Sequence, residues 1–170
     1  ECNDLELIAR VAQTKKPMII STGMASIKEI KESVATAKKN GAKEIILLKC
    51  TSTYPAPYQD LNLNSISYLK KKFNCEVGFS DHSLGLTAAI SSIALGATVI
   101  EKHFKINNKG LDSDFSINSI EMKKLVKECN IAKNSLGKVF LGVSKSESSN
   151  IKYKRSLFLI KDVKKNEKIT

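Results

Sequence analysis

The 170-residue sequence has no tryptophan, three prolines and only 6% aromatic residues. Its apolar runs are short and interrupted by Ser, Gly or Lys, so we expect no membrane span. It carries no helix-turn-helix, zinc-finger or RNA-recognition signature. No Gly-x-Gly-x-x-Gly follows a predicted strand, which argues against a dinucleotide-binding Rossmann sheet. These absences leave an ordinary globular protein with enough chain to bury a core.

Short cysteine pairings are also missing. The four cysteines are scattered, with no Cys-x-x-Cys, at Cys2, Cys50, Cys75 and Cys129. This usage predicts free, mostly buried thiols in a reducing compartment, and the spacing does not suit metal ligands. The start shows neither an initiator Met nor a secretory or transit signal. We therefore expect a cytoplasmic protein and a sequence that is part of a longer one.

Positive charge is in excess. The 28 Lys and Arg outnumber 17 Asp and Glu, giving a net charge of +11, and residues 138–170 hold nine basic against three acidic side chains. Such an excess suits nucleic acid, an anionic lipid surface or a phosphorylated metabolite. With few aromatics and no binding signature, we interpret the excess as a Lys-rich solvated surface. A nucleic-acid-binding domain is the alternative from another class.

Hydrophobic periodicity divides the chain into alternating helices and strands. The apolar runs between the helical stripes are unbroken, which is typical of parallel strands covered on both faces. Asn3 and Ser26 are the predicted N-caps of the first two helices. The predicted helices cover 4–14, 27–40, 65–73, 86–95 and 119–136, and the predicted strands cover 18–20, 45–48, 77–79 and 98–100.

This α(βα)₄ order, with polar residues after every strand, predicts an α/β fold. It indicates half of a (β/α)₈ TIM barrel with its site at the carboxyl edge. A whole barrel needs about 250 residues, so we assign residues 1–138 to the second half of one. Residues 139–153 are polar and Ser-rich and predict a linker. A strand over Ser156–Ile160 would then begin a second small module in residues 154–170.

The only two histidines, His82 and His103, each lie just past the end of a predicted strand, one β/α unit apart. Neighbouring strand ends lie side by side in a barrel, so both imidazoles could reach one divalent metal ion. Two unrelated strand-end histidines are the alternative.

Hydroxyl side chains follow the strands as well, and with backbone N–H groups they could hold a phosphate or carboxylate. They are Ser21, Thr22, Thr51, Ser52, Ser80 and Ser116. Lys49 and Lys102, also at strand ends, could add positive charge. Since hydroxyls are common wherever strands become loops, each residue alone gives weak support.

Three carboxylates, Glu1, Asp81 and Asp112, flank this region. Asp81 either supports His82 or has a purely structural role, and Asp112 either binds a polyol or caps its loop. The proline-rich turn after Tyr54 either holds that ring at the mouth of the site or packs it into the loop.

Four segments occur in the order and spacing of the sialic acid synthase family, and the resemblance as a whole extends over essentially all 170 residues. They are 21–24 (STGM), 49–55 (KCTSTYP), 78–85 (GFSDHSLG) and 94–104 (ALGATVIEKHF). The chain thus resembles enzymes that condense phosphoenolpyruvate with an N-acetylated hexose to make a nine-carbon acid.

The resemblance implies a (β/α)₈ barrel followed by an antifreeze-like (SAF) domain, whose first strand would be Ser156–Ile160. It assigns His82 and His103, as catalytic residues, to a divalent ion, with Mn²⁺ preferred and Mg²⁺ or Co²⁺ as alternatives. The partners it implies are small molecules, with no nucleic acid and no membrane.

The resemblance also implies substrate contacts. Glu1, Tyr54 and Asp112 fall on positions that contact the sugar, and Glu1 also falls on a catalytic one. The positions that hold phosphoenolpyruvate are Ser21, Ser52 and Ser80, although some relatives have Asn where Ser52 stands.

Within the family, Lys49 and the 110–116 segment (GLDSDFS) are most similar to the pseudaminic acid branch, whose sugar is 2,4-diacetamido-2,4,6-trideoxy-altrose. The legionaminic and N-acetylneuraminic acid branches are the alternatives, and another metal-dependent aldolase or phosphate-binding barrel is more distant. In the implied reaction the metal ion polarises the open-chain aldehyde and the methylene carbon of phosphoenolpyruvate attacks it. Water then adds, and phosphate leaves by carbon–oxygen cleavage.

The family pattern includes parts that this sequence does not contain. They are the first four barrel strands, with a glutamate and a lysine, and most of the antifreeze-like domain. That domain carries an arginine that reaches the partner subunit's site in a domain-swapped homodimer. We therefore expect these 170 residues alone to lack synthase activity, and half a barrel to leave two unpaired strand edges.

Overall fold

A computed structural model describes residues 2–168. Glu1, predicted to contact the sugar, lies outside the described residues. The chain divides after Gly137 into two units, and each is described by itself.

The first unit alternates helices and strands in the predicted order. Its elements are α1 (Leu5–Ala12), β1 (Met18–Ser21), α2 (Ile27–Lys39), β2 (Ile45–Cys50), α3 (Ser65–Phe73), β3 (Glu76–Asp81), α4 (Thr87–Ala94), β4 (Ile100–Lys102) and α5 (Ser119–Leu136), with a 3₁₀ turn at Tyr58–Asp60. The strands form one parallel sheet in the order β1-β2-β3-β4. Sequential order with a helix between strands is the arrangement of a (β/α)₈ barrel arc, so the α/β half-barrel is confirmed.

Side chains alternate between the two faces of this sheet. The helix-covered face carries Ile20, Leu47, Val77 and Phe79, which pack in one buried cluster with apolar residues of the helices. This cluster is the main core of the unit.

The other face of the sheet, here called the inner face, carries Leu48, Cys50, Gly78 and Ser80. The expectation that both faces of every strand are covered is wrong for β1, because Ile19 on the inner face is 55% exposed. The described residues form only half of a barrel, so this face is not fully enclosed.

Side-chain caps fix the starts of the first two helices. Ser26 caps α2 as predicted, in a capping box with Glu29. The N-cap of α1 is Asp4 and not Asn3, since the Asp4 carboxylate accepts the Leu7 N–H at 3.0 Å. No helix among residues 2–168 is both long and apolar enough to cross a membrane.

β4 is assigned two residues later than predicted, at Ile100–Lys102. Its hydrogen bonds to β3 nevertheless begin earlier, because the Thr98 N–H donates to the Val77 carbonyl at 2.9 Å. The predicted strand 98–100 is therefore the first part of the same pairing.

The second unit differs from the prediction. Where a linker was expected, Lys145–Tyr153 forms a 3₁₀ helix, whose start is capped reciprocally by Ser144 and Glu147. The strand expected over Ser156–Ile160 is wrong for the described residues, where this segment pairs with no other strand. A strand needs a hydrogen-bonded neighbouring strand, and residues 138–168 contain none. The antifreeze-like domain therefore stays a prediction.

Candidate active site

The two histidines lie side by side at the carboxyl edge of the sheet. His82 directly follows β3 and His103 directly follows β4, and their ring centroids are 5.2 Å apart. Parallel pairing of β3 with β4 aligns the two strand ends, since Asp81 and Lys102 are register partners. The predicted juxtaposition of the imidazoles is present.

Each imidazole uses its Nδ1 atom on an oxygen acceptor. His82 Nδ1 lies 2.9 Å from the Thr51 carbonyl oxygen, and His103 Nδ1 lies 3.3 Å from Asp112 Oδ2. A carbonyl oxygen can only accept, so His82 carries its proton on Nδ1. The carboxylate of Asp112 favours the same tautomer for His103. The lone pair of each Nε2 is then left for a ligand.

This donor set fits a divalent metal ion. An Nδ1–H held by a carbonyl or a carboxylate, with Nε2 left as the ligand atom, is the usual arrangement of metal-binding histidines. No group of three or more His, Cys, Asp or Glu among residues 2–168 is arranged to hold an ion. Two imidazoles are fewer than the roughly four to six ligands that such ions take. Water and substrate oxygens would have to complete the shell.

Two aromatic rings enclose the imidazoles. The Tyr54 ring centroid is 4.3 Å from that of His82, and the Phe115 centroid is 4.9 Å from that of His103. The two rings also meet each other at 5.4 Å. Tyr54 therefore lies in the site and not apart in its loop. Partial burial raises the pKa of its hydroxyl, with further increases from Cys50, Asp112 and Glu101, so this hydroxyl stays a hydrogen-bond donor at neutral pH.

The predicted hydroxyls divide into engaged and available groups. Ser21 ends β1 and Ser52 lies two residues after the end of β2, and within residues 2–168 neither hydroxyl donates to a backbone carbonyl or a carboxylate. Four others already donate to protein oxygens: Thr22 to Leu48, Thr51 to Asp60, Ser116 to Asp112 and Ser80 to Glu101. The best-placed anion donors are therefore Ser21 and Ser52.

Glu101 is a site residue that the sequence analysis missed. Ser80 and Glu101 are register partners on the inner face, and the buried Ser80 hydroxyl donates to Glu101 Oε1 at 2.7 Å. Glu101 lies in β4, two residues before His103, so alternation places both side chains on the inner face. Strand alternation, applied backward from the histidine, could have identified it. Phe115 was missed as well, and no spacing rule in its loop would have located it.

The two lysines expected to add charge do not reach this site. Lys102 is completely buried against Asp81 on the helix-covered face. The Lys49 ammonium instead donates to the Cys50 carbonyl at 2.7 Å and to Thr51 Oγ1 at 3.1 Å. Burial lowers the pKa of Lys49. Each lysine lies one residue away from an inner-face position, so alternation turns its side chain to the other side.

A parallel half-barrel with paired imidazoles and a carboxylate at its carboxyl edge has the architecture of barrel enzymes, whose sites lie at this edge. The family model described as the NeuB family matches residues 1–140. The chain belongs to the NeuB family, as its resemblance to sialic acid synthases predicts.

Individual relatives agree with this assignment. A pseudaminic acid synthase of Campylobacter jejuni is 41% identical over 169 residues, which are 98% of this chain and 49% of that protein. An N,N'-diacetyllegionaminic acid synthase of the same species is 40% identical, over 98% of this chain and 52% of that protein. The chain spans about half the length of the curated relatives it matches.

A solved structure supports the fold. The crystal structure of N-acetylneuraminic acid synthetase from Leptospira borgpetersenii in complex with citrate superposes with a TM-score of 0.81 at 35% identity. The match covers 89% of this chain and 54% of that one.

Proposed function

We propose that the protein works as a synthase that condenses phosphoenolpyruvate with an N-acetylated amino sugar, giving a nine-carbon acid and phosphate. We further propose that the sugar is 2,4-diacetamido-2,4,6-trideoxy-altrose and the product pseudaminic acid. The observation that carries the proposal is the pair His82 and His103, side by side with both Nδ1 atoms engaged. Family membership supports the reaction class.

His82 and His103 would hold the divalent ion through their Nε2 atoms, with Mn²⁺ preferred over Mg²⁺ or Co²⁺. When bound, such an ion acts as a Lewis acid on the aldehyde oxygen of the sugar. The chain's own contribution is orientation: the Thr51 carbonyl and the Asp112 carboxylate accept from the Nδ1–H of each ring and hold both rings in place.

Phosphoenolpyruvate brings phosphate and carboxylate oxygens to this edge. Ser21 and Ser52 would donate their hydroxyl protons to those oxygens. Ser80 would act differently from the simple contact that the resemblance implies, because its proton is already donated to Glu101. It holds the Glu101 carboxylate on the inner face, where we expect Glu101 to accept a proton from the water that adds to the oxocarbenium-like carbon.

The sugar would meet the aromatic rings and the loop carboxylate. The protonated Tyr54 hydroxyl would donate to a sugar or acetamido oxygen. One Asp112 oxygen is occupied by His103, so the other would accept from a sugar hydroxyl. Phe115 gives an apolar wall beside His103, which suits the methyl group of a 6-deoxy sugar better than a hydroxymethyl group.

The branch is a finer proposal than the reaction. The pseudaminic and legionaminic acid synthases of C. jejuni are almost equally similar to the chain, at 41% and 40% identity, so sequence identity does not separate them. The 110–116 segment, which contains Phe115 and Asp112, carries the preference. The domain-swapped homodimer and the cytoplasmic location stay predictions of the resemblance.

The test is a synthase assay on the natural gene product that contains this sequence. The protein is freed of metal, supplied with Mn²⁺ and phosphoenolpyruvate, and given the sugar precursor of each of the three acids in turn. Phosphate release gives kcat/KM, and mass spectrometry identifies the acid. With ¹⁸O in the bridging position of phosphoenolpyruvate, carbon–oxygen cleavage places the label in phosphate.

We expect the highest kcat/KM with the altrose derivative and no turnover without a divalent ion. Turnover with another of the three sugars as the preferred substrate would refute the branch and keep the reaction. No phosphate release with any sugar would refute the proposed reaction itself.

A further inference from the structure

A completely buried ion pair joins the ends of β3 and β4. Asp81 and Lys102 are the last residues of their strands and register partners, with Lys102 Nζ 2.9 Å from Asp81 Oδ2. Neither side chain has any exposed surface. Burying two charges carries a large desolvation cost, and their attraction offsets it only when the geometry is good and other hydrogen bonds complete the shell.

Ser83 supplies those hydrogen bonds. Asp81 Oδ1 accepts from the Ser83 N–H at 2.8 Å and from its hydroxyl at 2.6 Å. Lys102 Nζ also donates to the Ser83 carbonyl at 2.7 Å. Asp81, Ser83 and Lys102 thus form a closed set of interactions, which we name the strand-end network.

The network surrounds the histidines along the chain. Asp81 precedes His82 and Ser83 follows it, while Lys102 directly precedes His103. Alternation places the Asp81 and Lys102 side chains on the helix-covered face and the two imidazoles on the inner face. The network therefore acts on the rings through the backbone, on both sides of His82 and on one side of His103.

An apolar pair would stabilise this position as well as an ion pair does, and often better. What the charged network adds is direction, because each hydrogen bond fixes an angle and a distance that apolar packing leaves free. If β3 shifted by two residues along β4, or if one strand end tilted, several hydrogen bonds of the network would break at once.

We propose that the strand-end network is a positioning device that fixes the separation of His82 and His103 so that both can bind one divalent ion. Asp81, Ser83 and Lys102 are accordingly positioning residues. The inference rests on the proposed function, since it takes the two imidazoles as the metal ligands.

The test compares two double variants of the natural gene product. Asp81→Leu with Lys102→Met removes both charges at similar volume and leaves no buried charge unpaired. Lys70→Met with Glu76→Leu is the matched control, because it removes an ion pair of 3.4 Å that includes the first residue of β3. The free Mn²⁺ signal in electron paramagnetic resonance gives the dissociation constant, and circular dichroism gives the thermal transition.

We expect the network variant to fold and to bind Mn²⁺ about 10–100-fold more weakly, as for other groups that orient metal ligands. The control should change the constant by less than about twofold, because surface pairs contribute little. Unchanged Mn²⁺ affinity in the folded network variant would overturn this proposal and leave the proposed function intact. Absence of Mn²⁺ binding by the unmodified protein would overturn both.

A milder variant covers the case in which the double variant does not fold. Ser83→Ala removes one hydrogen bond to Asp81 Oδ1 and keeps the ion pair and the backbone N–H bond. We expect a severalfold loss of Mn²⁺ affinity in a folded protein. An affinity equal to that of the unmodified protein would overturn the proposal.

Discussion

Gly78 is the position where the smallest change should disturb the sheet beneath the site. It lies in β3 on the inner face, opposite Leu48 of β2. A Cβ atom at Gly78 would overlap the Val99 carbonyl oxygen and would stand 2.6 Å from Leu48 Cδ2. The leucine side chain can move aside, but the carbonyl cannot, because it accepts the Phe79 N–H at 2.9 Å in the pairing of β3 with the β4 segment.

The magnitude for Gly78→Ala follows from three contributions. Overpacking costs about 1–3 kcal/mol, and a weakened ladder hydrogen bond costs about 1 kcal/mol. Alanine regains about 0.5–1 kcal/mol over glycine through the unfolded state. The net loss in free energy of unfolding is therefore about 1–3 kcal/mol, a large share of the 5–15 kcal/mol that is typical of a domain.

The assay is urea unfolding followed by circular dichroism. Gly110→Ala is the matched control, since a Cβ there meets no atom within 4 Å. It should leave the free energy of unfolding unchanged or raise it by up to about 1 kcal/mol, which is the gain of alanine over glycine through the unfolded state. Because the disturbed pairing carries His82 and His103, Gly78→Ala should also weaken Mn²⁺ binding. A Gly78→Ala protein as stable as the control would refute the steric reasoning.

Three further predictions concern single side chains. Burial lowers the pKa of Lys49 below its usual 10.5, so the unfolded chain holds this proton more tightly and the Lys49 contribution to stability rises as pH increases through the folded pKa towards 10.5. Lys49→Met should remove that rise. The free energy of unfolding is measured by urea at pH 7 and at pH 10 in both proteins, and an equal change between the two pH values in the unmodified and Lys49→Met proteins would contradict the prediction. Glu101→Gln in the natural gene product should lower kcat about 10²–10⁴-fold with little change in KM; a change confined to KM would assign Glu101 to binding. Phe115→Leu should lower kcat/KM for the 6-deoxy sugar by about tenfold relative to the precursor of N-acetylneuraminic acid, and an unchanged ratio between the two sugars would rule out the apolar-wall role.

The element order could be predicted because it depends on local chemistry. Unbroken apolar runs located all four strands, and the Ser26 capping box located the start of α2. His82 and His103 could be paired because parallel strands with one helix between them must end at the same edge. The Ser156–Ile160 strand failed for the opposite reason: an apolar run becomes a strand only when a neighbour pairs with it, and propensity does not supply the neighbour.

The parts of the site that sequence reasoning misplaced all depend on which side of the sheet a residue faces. Lys102 was expected to add charge at the site, but it pairs with Asp81 on the helix-covered face. Glu101, between Lys102 and Ile100, was overlooked although it faces inward. Phe115 reaches His103 from a loop, and loop conformation is not encoded by periodicity. The hydroxyls were identified by type, yet only the three-dimensional structure shows which of them are already engaged.

The most direct test of the central claim is a ¹⁵N long-range NMR titration of the 170-residue protein with Zn²⁺, a diamagnetic divalent ion that imidazole also binds. The chain has only two histidines, so the spectrum contains only two imidazoles, and their ring nitrogens also report the tautomers. If His82 and His103 bind one ion through Nε2, both rings show Nδ1 protonated at the start. The Nε2 signals of both rings then shift together as Zn²⁺ is added, up to a stoichiometry of one ion. A shift of one Nε2 signal without the other, or of neither, would contradict the account.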